Sequence, residues 1–483
     1  MEGHVQGEGV DRFRIKRCTH MTMGLTQTRT KKQMSLSPQT IHIQHQVAKW
    51  TKQGRKHWDL YRWIMNPYLL YDAVEQVVRN DGSAGIDGMS TKQIKGREWD
   101  FAKEIALELK SGTYHPSAVR RVYIPKRNGK KRPLGIPTVR DRVVQRALML
   151  IMEPIYEERF FPNSYGFRRG KSAVECTAIA ANEIYNHRLV LEADIKDFFG
   201  NVSQKKLLGM LKEEIVDPRI LQLILNITRA GAIERNKPWQ PTWKGTPQGG
   251  PLSPLLANIY LHYALDKRFN KMNLKGTKLL RYCDDFIIVG TGEREIKVAQ
   301  ELLQKWMQEA KLKLKEEKTK VIDMRNAKRS RQSHFNFLGL RFHLRAYKDN
   351  NKRFWIARQP SEEARKSLRE NLKSKLRPDL IPTLAKNITK SVWMGWCNYF
   401  RYGNSNHIIH REIKNVRQIV EWYLRRKFRH QKHPRRWRDM WHLRKWITSE
   451  IKPVRVIPNY LDQHQTLMQP ERAVYWKSVR TVR

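Results

Sequence analysis

RYCDDFIIVG, Arg281 to Gly290, sets two aspartates, Asp284 and Asp285, inside an apolar run that reads as strands. Leu279 and Leu280 precede them, and Phe286, Ile287, Ile288 and Val289 follow. Two like charges side by side in a core are costly unless something pairs with them. A hairpin turn explains adjacent acids with no second site. A divalent ion explains them too, but it needs a third oxygen ligand elsewhere in the chain. EADIKDFF, Glu192 to Phe199, offers one, because Asp194 ends LVLEADI (189–195), which reads as a buried strand. Brought together, Asp194, Asp284 and Asp285 can hold two Mg2+ ions about 3.5–4 Å apart. One ion would activate an attacking 3′-hydroxyl, and the other would neutralise a triphosphate and its leaving pyrophosphate.

Composition points the same way. The chain has 483 residues, enough for roughly three domains, with 94 Lys and Arg against 46 Asp and Glu, a formal charge of +48. An excess of that size indicates a polyanionic partner, most economically nucleic acid. No apolar run approaches the roughly 20 residues that span a bilayer, so no membrane partner is expected. Cys18, Cys176, Cys283 and Cys397 are widely spaced, which disfavours a disulfide scaffold or zinc ribbon and favours a reducing compartment. Residues 12–58 contain no acid and eleven Lys or Arg. Residues 1–45 are expected to be a disordered basic extension, with Met34 an alternative start. A cytoplasmic setting is expected, with an organellar matrix as the other possibility.

Along the chain, helical spacing runs from about Trp58 to Lys110. VRRVYIPKRNGKKRPLGIP (119–137) reads as a hairpin turning at Asn128-Gly129. Helices follow to about Tyr185, then the strand at 189–195 and a helix capped by Ser203. GTPQGGPLSPLLANIYL joins a glycine-rich turn to a helix with Ser253 at its N-cap and Pro254 at N1. The Asp-Asp hairpin, a helix over 295–312 and a strand pair around FNFLGLRF (335–342) complete an α+β layer, a small antiparallel sheet with helices on one face. Three basic helices follow Pro360. The expected domains are 46–360, a helical module over 361–438 and a basic tail over 439–483.

ADIKDFF, TPQGGPLSPLLANIYL, RYCDDF, EEKTKV and FLGLRF resemble, in order and spacing, the reverse transcriptases, and their wording is similar to group II intron-encoded reverse transcriptase/maturases. GSAGIDG, IPKRNGKKRPLGIPTVRDRVVQRAL, SYGFRRGKSA and GWCNYFRYGNSN extend the resemblance over about 68–438. It implies a right-hand polymerase, fingers and palm followed by an α-helical thumb or maturase module. It also implies Asp194, Asp284 and Asp285 as catalytic residues and, with Ile195, as metal-contacting positions. Lys126, Arg132, Phe199, Gln248 and Gly249 match the nucleotide site, with Phe199 as the ring that blocks a ribose 2′-hydroxyl. Spacing alone leaves Phe198 open as the gating ring and Phe199 as the core ring.

Three positions depart from the pattern. Asp197 stands where the family has a small residue and Gly200 where it often has an acid, and Cys283 replaces a common alanine, reading as packing. Between Arg411 and Lys445 lie thirteen Lys or Arg and three acids, with Trp422, Tyr423, Trp437 and Trp441 among them. Arg425, Arg426, Lys427, Arg429, Arg435 and Arg436 are the candidate nucleic-acid contacts. A metal at His430, His433 and His442 is disfavoured for want of companion ligands, and no terminal nuclease domain is expected. The leading expectation is an RNA-directed DNA polymerase using dNTPs and two Mg2+. It would bind its intron RNA, an RNA template and primer, and target DNA, and assist splicing and mobility. A splicing-only RNA-binding maturase and a reverse transcriptase diverted to defence or repair are the alternatives.

Overall fold

The computed structural model describes residues 36–125, 131–325, 333–346, 354–429 and 436–457. The first helix, α1 (Pro38–Lys52), starts with Ser37 as N-cap and Pro38 in its first turn. The Ser37 hydroxyl also donates to Asp72 at 2.7 Å. α1 buries Ile43 and Val47, and the Gln44 amide donates to the Leu150 carbonyl at 2.8 Å. The boundary expected at residue 45 is therefore corrected, since folded structure begins by Ser37. Alternation of apolar and basic residues at helical spacing hid this, because the stretch lacks acids. α2 (Tyr61–Ile64), α3 (Pro67–Asn80) and α4 (Glu98–Ser111) follow.

β1 (Val119–Pro125) and β2 (Lys131–Ile136) form the expected hairpin, and its turn, with Lys126, lies outside the described residues. α5 (Val139–Glu157) is the central helix, buried along much of its length. α6 (Ala173–His187), β3 (Leu189–Asp194), α7 (Phe198–Asn201), α8 (Gln204–Leu211), α9 (Pro218–Arg229) and β4 (Ala232–Ile233) come next. Ser203 caps α8 as expected. α10 (Ser253–Leu261) departs from expectation, because its N-cap is Leu252 and Ser253 is already helical. The Ser253 hydroxyl instead donates to the Pro247 carbonyl at 2.6 Å and fastens the glycine-rich turn. A π-turn over His262–Asp266 leads into α11 (Lys267–Met272).

β5 (Thr277–Tyr282), β6 (Asp285–Gly290), α12 (Glu293–Glu309) and β7 (Lys320–Asp323) complete the palm. Its sheet is antiparallel in the order β5-β6-β3-β7. Leu189, Leu191, Ala193, Phe286 and Ile288 pack into one core with α12 residues Ile296 and Leu303. Val190, Ile287 and Val289 point the other way, into a second core with Cys176, Ala180 and Ile184 of α6. Helices therefore cover both faces, not one as expected. That is why these strands read as continuous apolar runs rather than alternating ones.

Among the described residues there are two further sheets. One is β2-β1-β4, and another, β10-β9-β8, is built from β8 (His334–Phe337), β9 (Leu340–Ala346) and β10 (Phe354–Pro360). α13 (Glu362–Lys375), α14 (Pro382–Phe400), α15 (Asn406–Lys427) and α16 (Arg436–Ile447) form the thumb. Its own core joins Leu368, Trp393, Val416 and Tyr423 to Met440, Ile447 and Ile451. The boundary expected at 438/439 thus falls inside α16 and is corrected. The Tyr399 hydroxyl donates to the Leu338 carbonyl at 2.6 Å, tying α14 to the β8–β9 turn. The whole is α+β, a right-hand polymerase palm and fingers followed by a helical module. Among the described residues no helix is long and apolar enough to cross a membrane.

Candidate active site

Strand register brings the acids together. Asp194, the last residue of β3, lies opposite Asp285, the first of β6. Asp284 sits in the two-residue turn between β5 and β6, where Cys283 takes a left-handed φ of +59°. Desolvation pushes the Asp285 carboxyl up to about 7, reinforced by Asp284 and Asp194. Asp284 is also raised, first by desolvation and in smaller part by Asp194, while Arg132 and a hydrogen bond from the Cys283 side chain oppose the shift. Cys283 is buried in the palm core beside these acids, in keeping with a packing role.

Asp194 is already engaged. The Lys315 ammonium donates to both of its carboxylate oxygens at 2.8 Å, and Lys318 donates to Oδ2 at 2.6 Å. Among the described residues no three His, Cys, Asp or Glu side chains stand as a finished metal cage. The donor chemistry still suits a hard divalent ion, because the register sets Asp194 opposite Asp285 with Asp284 in the adjoining turn, all three offering carboxylate oxygens. The lysines fill the counter-charge role, and an ion would take over their place. Ile195 is buried beside this cluster and bridges Leu314, so only its backbone can meet a metal. Sequence reasoning misses Lys315 as a partner of Asp194, because no pattern links a loop lysine to a strand 121 residues earlier.

The nucleotide-site candidates also converge. Arg132 Nε donates to Gln248 Oε1 at 2.8 Å, and the Gly135 amide donates to the Gln248 carbonyl at 2.7 Å. A side chain at Gly249, φ +120°, would put Cβ 2.4 Å from the Gly135 carbonyl oxygen, so only glycine lets the loop meet the fingers hairpin. Phe198 and Phe199 are both buried in the palm core, their rings 5.5 Å apart, with Phe198 also 6.3 Å from Tyr260, and the Phe199 carbonyl accepts the Thr246 amide at 2.9 Å. Asp197 is left-handed, φ +44°, and its Oδ2 lies 2.5 Å from where a Cβ on Gly200 would sit. The departures at 197 and 200 from the family pattern are thus one arrangement, in which the acid at 197 occupies the space vacated at 200.

Among the described basic candidates, Arg425, Arg426 and Lys427 fall in the last turn of α15. Arg425 pairs with Glu421 at 2.7 Å, and Lys427 donates to the Pro378 carbonyl at 3.3 Å. Arg426 lies over the Trp422 ring at 4.7 Å, and Arg429 is exposed. Arg435, His430 and His433 lie outside the described residues, and Arg436 begins α16.

Residues 124–342 match the family described as reverse transcriptase (RNA-dependent DNA polymerase). The group II intron-encoded protein LtrA of Lactococcus lactis subsp. cremoris is 42% identical over 217 residues, 45% of this chain and 36% of that protein. Protein YkfC of Escherichia coli (strain K12) is 35% identical over 246 residues, 48% of this chain and 63% of its own length. An uncharacterized 91 kDa protein in the cob intron of Schizosaccharomyces pombe is 34% identical over 205 residues, 42% of this chain and 25% of that protein. The match thus spans little more than a third of LtrA. Among solved structures, apo telomerase from Candida Tropicalis aligns with a TM-score of 0.39 and 16% identity over 49% of this chain and 56% of that chain. Reverse transcriptases as a family use divalent metal ions.

Proposed function

We propose that this chain is a group II intron-encoded reverse transcriptase, which copies RNA into DNA and binds its intron RNA to assist splicing and mobility. The observation that carries the polymerase reading is the register Asp194 opposite Asp285, with Asp284 in the adjoining turn. On this reading Asp194, Asp284 and Asp285, with the Ile195 backbone, hold two Mg2+ ions. When bound, such ions activate a 3′-hydroxyl and neutralise the leaving pyrophosphate. Arg132, oriented by Gln248, supplies a guanidinium fork for phosphate oxygens of the incoming dNTP. Lys126 belongs to the same proposal by its place next to β1. Phe199 keeps a ribonucleotide from seating. The thumb and the basic end of α15 bind intron RNA, template and target DNA. A cytoplasmic or organellar-matrix setting with reduced thiols suits the free, buried Cys176, Cys283 and Cys397.

Asp284→Asn tests the reading. Primer extension on an RNA template should fall by at least about a hundredfold, the scale of losing a group that meets transition-state charge. Filter binding of the same template should stay within about twofold, because a carboxylate contributes nothing to holding phosphate. Extension at the wild-type rate would remove the metal assignment.

A further inference from the structure

Arg281 is fully buried at the end of β5, one of the largest side chains in the molecule with no exposed surface. A buried guanidinium demands partners, and this one has four. Nε and Nη2 donate to the two oxygens of Asp266 at 2.8 and 2.5 Å. Nη1 donates to Asn258 Oδ1 at 3.0 Å and to the Cys283 carbonyl at 3.1 Å. Asp266 closes the π-turn that interrupts the helix after α10. Such a turn shifts the residues after it around the helix axis, and π-turns are often found at functional positions.

The last of those four bonds sets this apart from an ordinary buried ion pair. The Cys283 carbonyl belongs to the peptide that leads into Asp284, and Cys283 is the left-handed residue of the turn. The turn is gripped from the other side too. The Asn258 amide donates to the Gly166 carbonyl at 2.6 Å. A Cβ on Gly166 would sit 2.5 Å from the Cys283 nitrogen. The Tyr165 amide donates to the Arg281 carbonyl at 2.8 Å, and the Arg281 amide to Asn163 at 2.9 Å. A strained turn in a tight cradle persists only where its surroundings over-determine it.

We infer that Arg281 is a positioning residue: clamped by Asp266 and Asn258, it fixes the Cys283 carbonyl and so the direction in which Asp284 presents its carboxylate. The inference rests on the polymerase reading and adds a residue to it. Mg2+ demands near-ideal octahedral geometry, so a small rotation of one carboxylate weakens its site.

Arg281→Lys is the test, since it keeps a cation opposite Asp266 but loses the fork that reaches both Asp266 and Cys283. With Mg2+, kcat for single-nucleotide addition should fall by about tenfold to a hundredfold, as a misplaced reacting group does. KM for dNTP and template–primer affinity should stay within about threefold, and Mn2+, less demanding in geometry than Mg2+, should restore part of the rate. Independently of turnover, Mn2+ binding to the nucleic-acid-free protein, followed by electron paramagnetic resonance, should weaken by at least about threefold. If Arg281→Lys does not fold, Asn258→Ala, which leaves the ion pair to Asp266, should show the same pattern in smaller measure. A folded Arg281→Lys with wild-type kcat and wild-type Mn2+ affinity, or a loss that appears only in thermal stability, overturns the inference. Failure of the polymerase reading is distinguishable, because the wild-type protein would then add no nucleotide.

Discussion

Asp285 shows what a carboxylate cluster costs before an ion arrives. Desolvation, then Asp284 and Asp194, lift its carboxyl from 3.8 to about 7, while its side chain still reaches solvent at one edge, where water screens part of the repulsion. In the unfolded chain this acid ionises near its ordinary value, so the folded state holds a proton that the unfolded state has lost. Its contribution to stability is thus fully present below about pH 4 and is lost as pH rises through about 7. Without divalent ions, Asp285→Asn should therefore raise the melting temperature more at pH 8 than at pH 5, and an equal shift at both would contradict the sign. Phe199 carries the other residue-scale prediction. A site cannot easily reject an added hydroxyl by attraction, whereas a ring against C2′ does so by overlap. Phe199→Val should raise ribonucleotide incorporation by about tenfold, equivalent to about 1.4 kcal/mol. Phe198→Val, which truncates the ring packed toward Tyr260, should mainly cost stability, about 2 kcal/mol. Matched single-nucleotide additions with dNTP and NTP separate the two, and the reverse outcome would exchange gate and core.

Among the elements, α15 concentrates the thumb's charge at its C-terminal turn, where Arg425, Arg426 and Lys427 complement the helix dipole. Not all of these are available to a phosphate. Arg425 is paired with Glu421 and Lys427 with a carbonyl, while Arg426 lies over the Trp422 ring and, like Arg429, is exposed. Arg426→Gln with Arg429→Gln should flatten the log–log salt dependence of single-stranded RNA binding by about 1.4, at about 0.7 per lost contact. An unchanged slope would make this turn a solvated face. The elements also show what a sequence can reveal. The Asp-Asp hairpin, β3 and the helix capped by Ser203 were legible because apolar runs and turn residues mark them locally. The second covered face of the palm was not, since a strand buried on both sides and one buried on a single side differ only in what packs over them. α1 and α16 were obscured by their basic composition, which mimics a solvated arm even where, as in α1, every third or fourth residue is buried. Arg281 and Lys315 were invisible for a different reason, as their partners lie on other elements and only the fold sets those distances.

For the molecule as a whole, the acids of the palm lie between apolar cores, and Asp194 is paired with Lys315 and Lys318. Among the described residues, apolar cores on each side of the palm sheet and in the thumb hold these elements together. The ammonium groups of Lys315 and Lys318 on Asp194 act as built-in placeholders. Removing one side of a pair this close would leave a charge stranded, yet exchanging a lysine for a dication does not. Chelation should therefore silence the protein while leaving its melting temperature within a few degrees, unlike metal-dependent domains that unfold when stripped. Restored Mg2+ should return full activity without refolding, whereas a cooperative unfolding on chelation would contradict this. The protein then follows an order of assembly in which the chain is finished first and armed afterwards. On the proposed reading, the concentration of a free divalent ion, rather than folding, would be the throttle on copying.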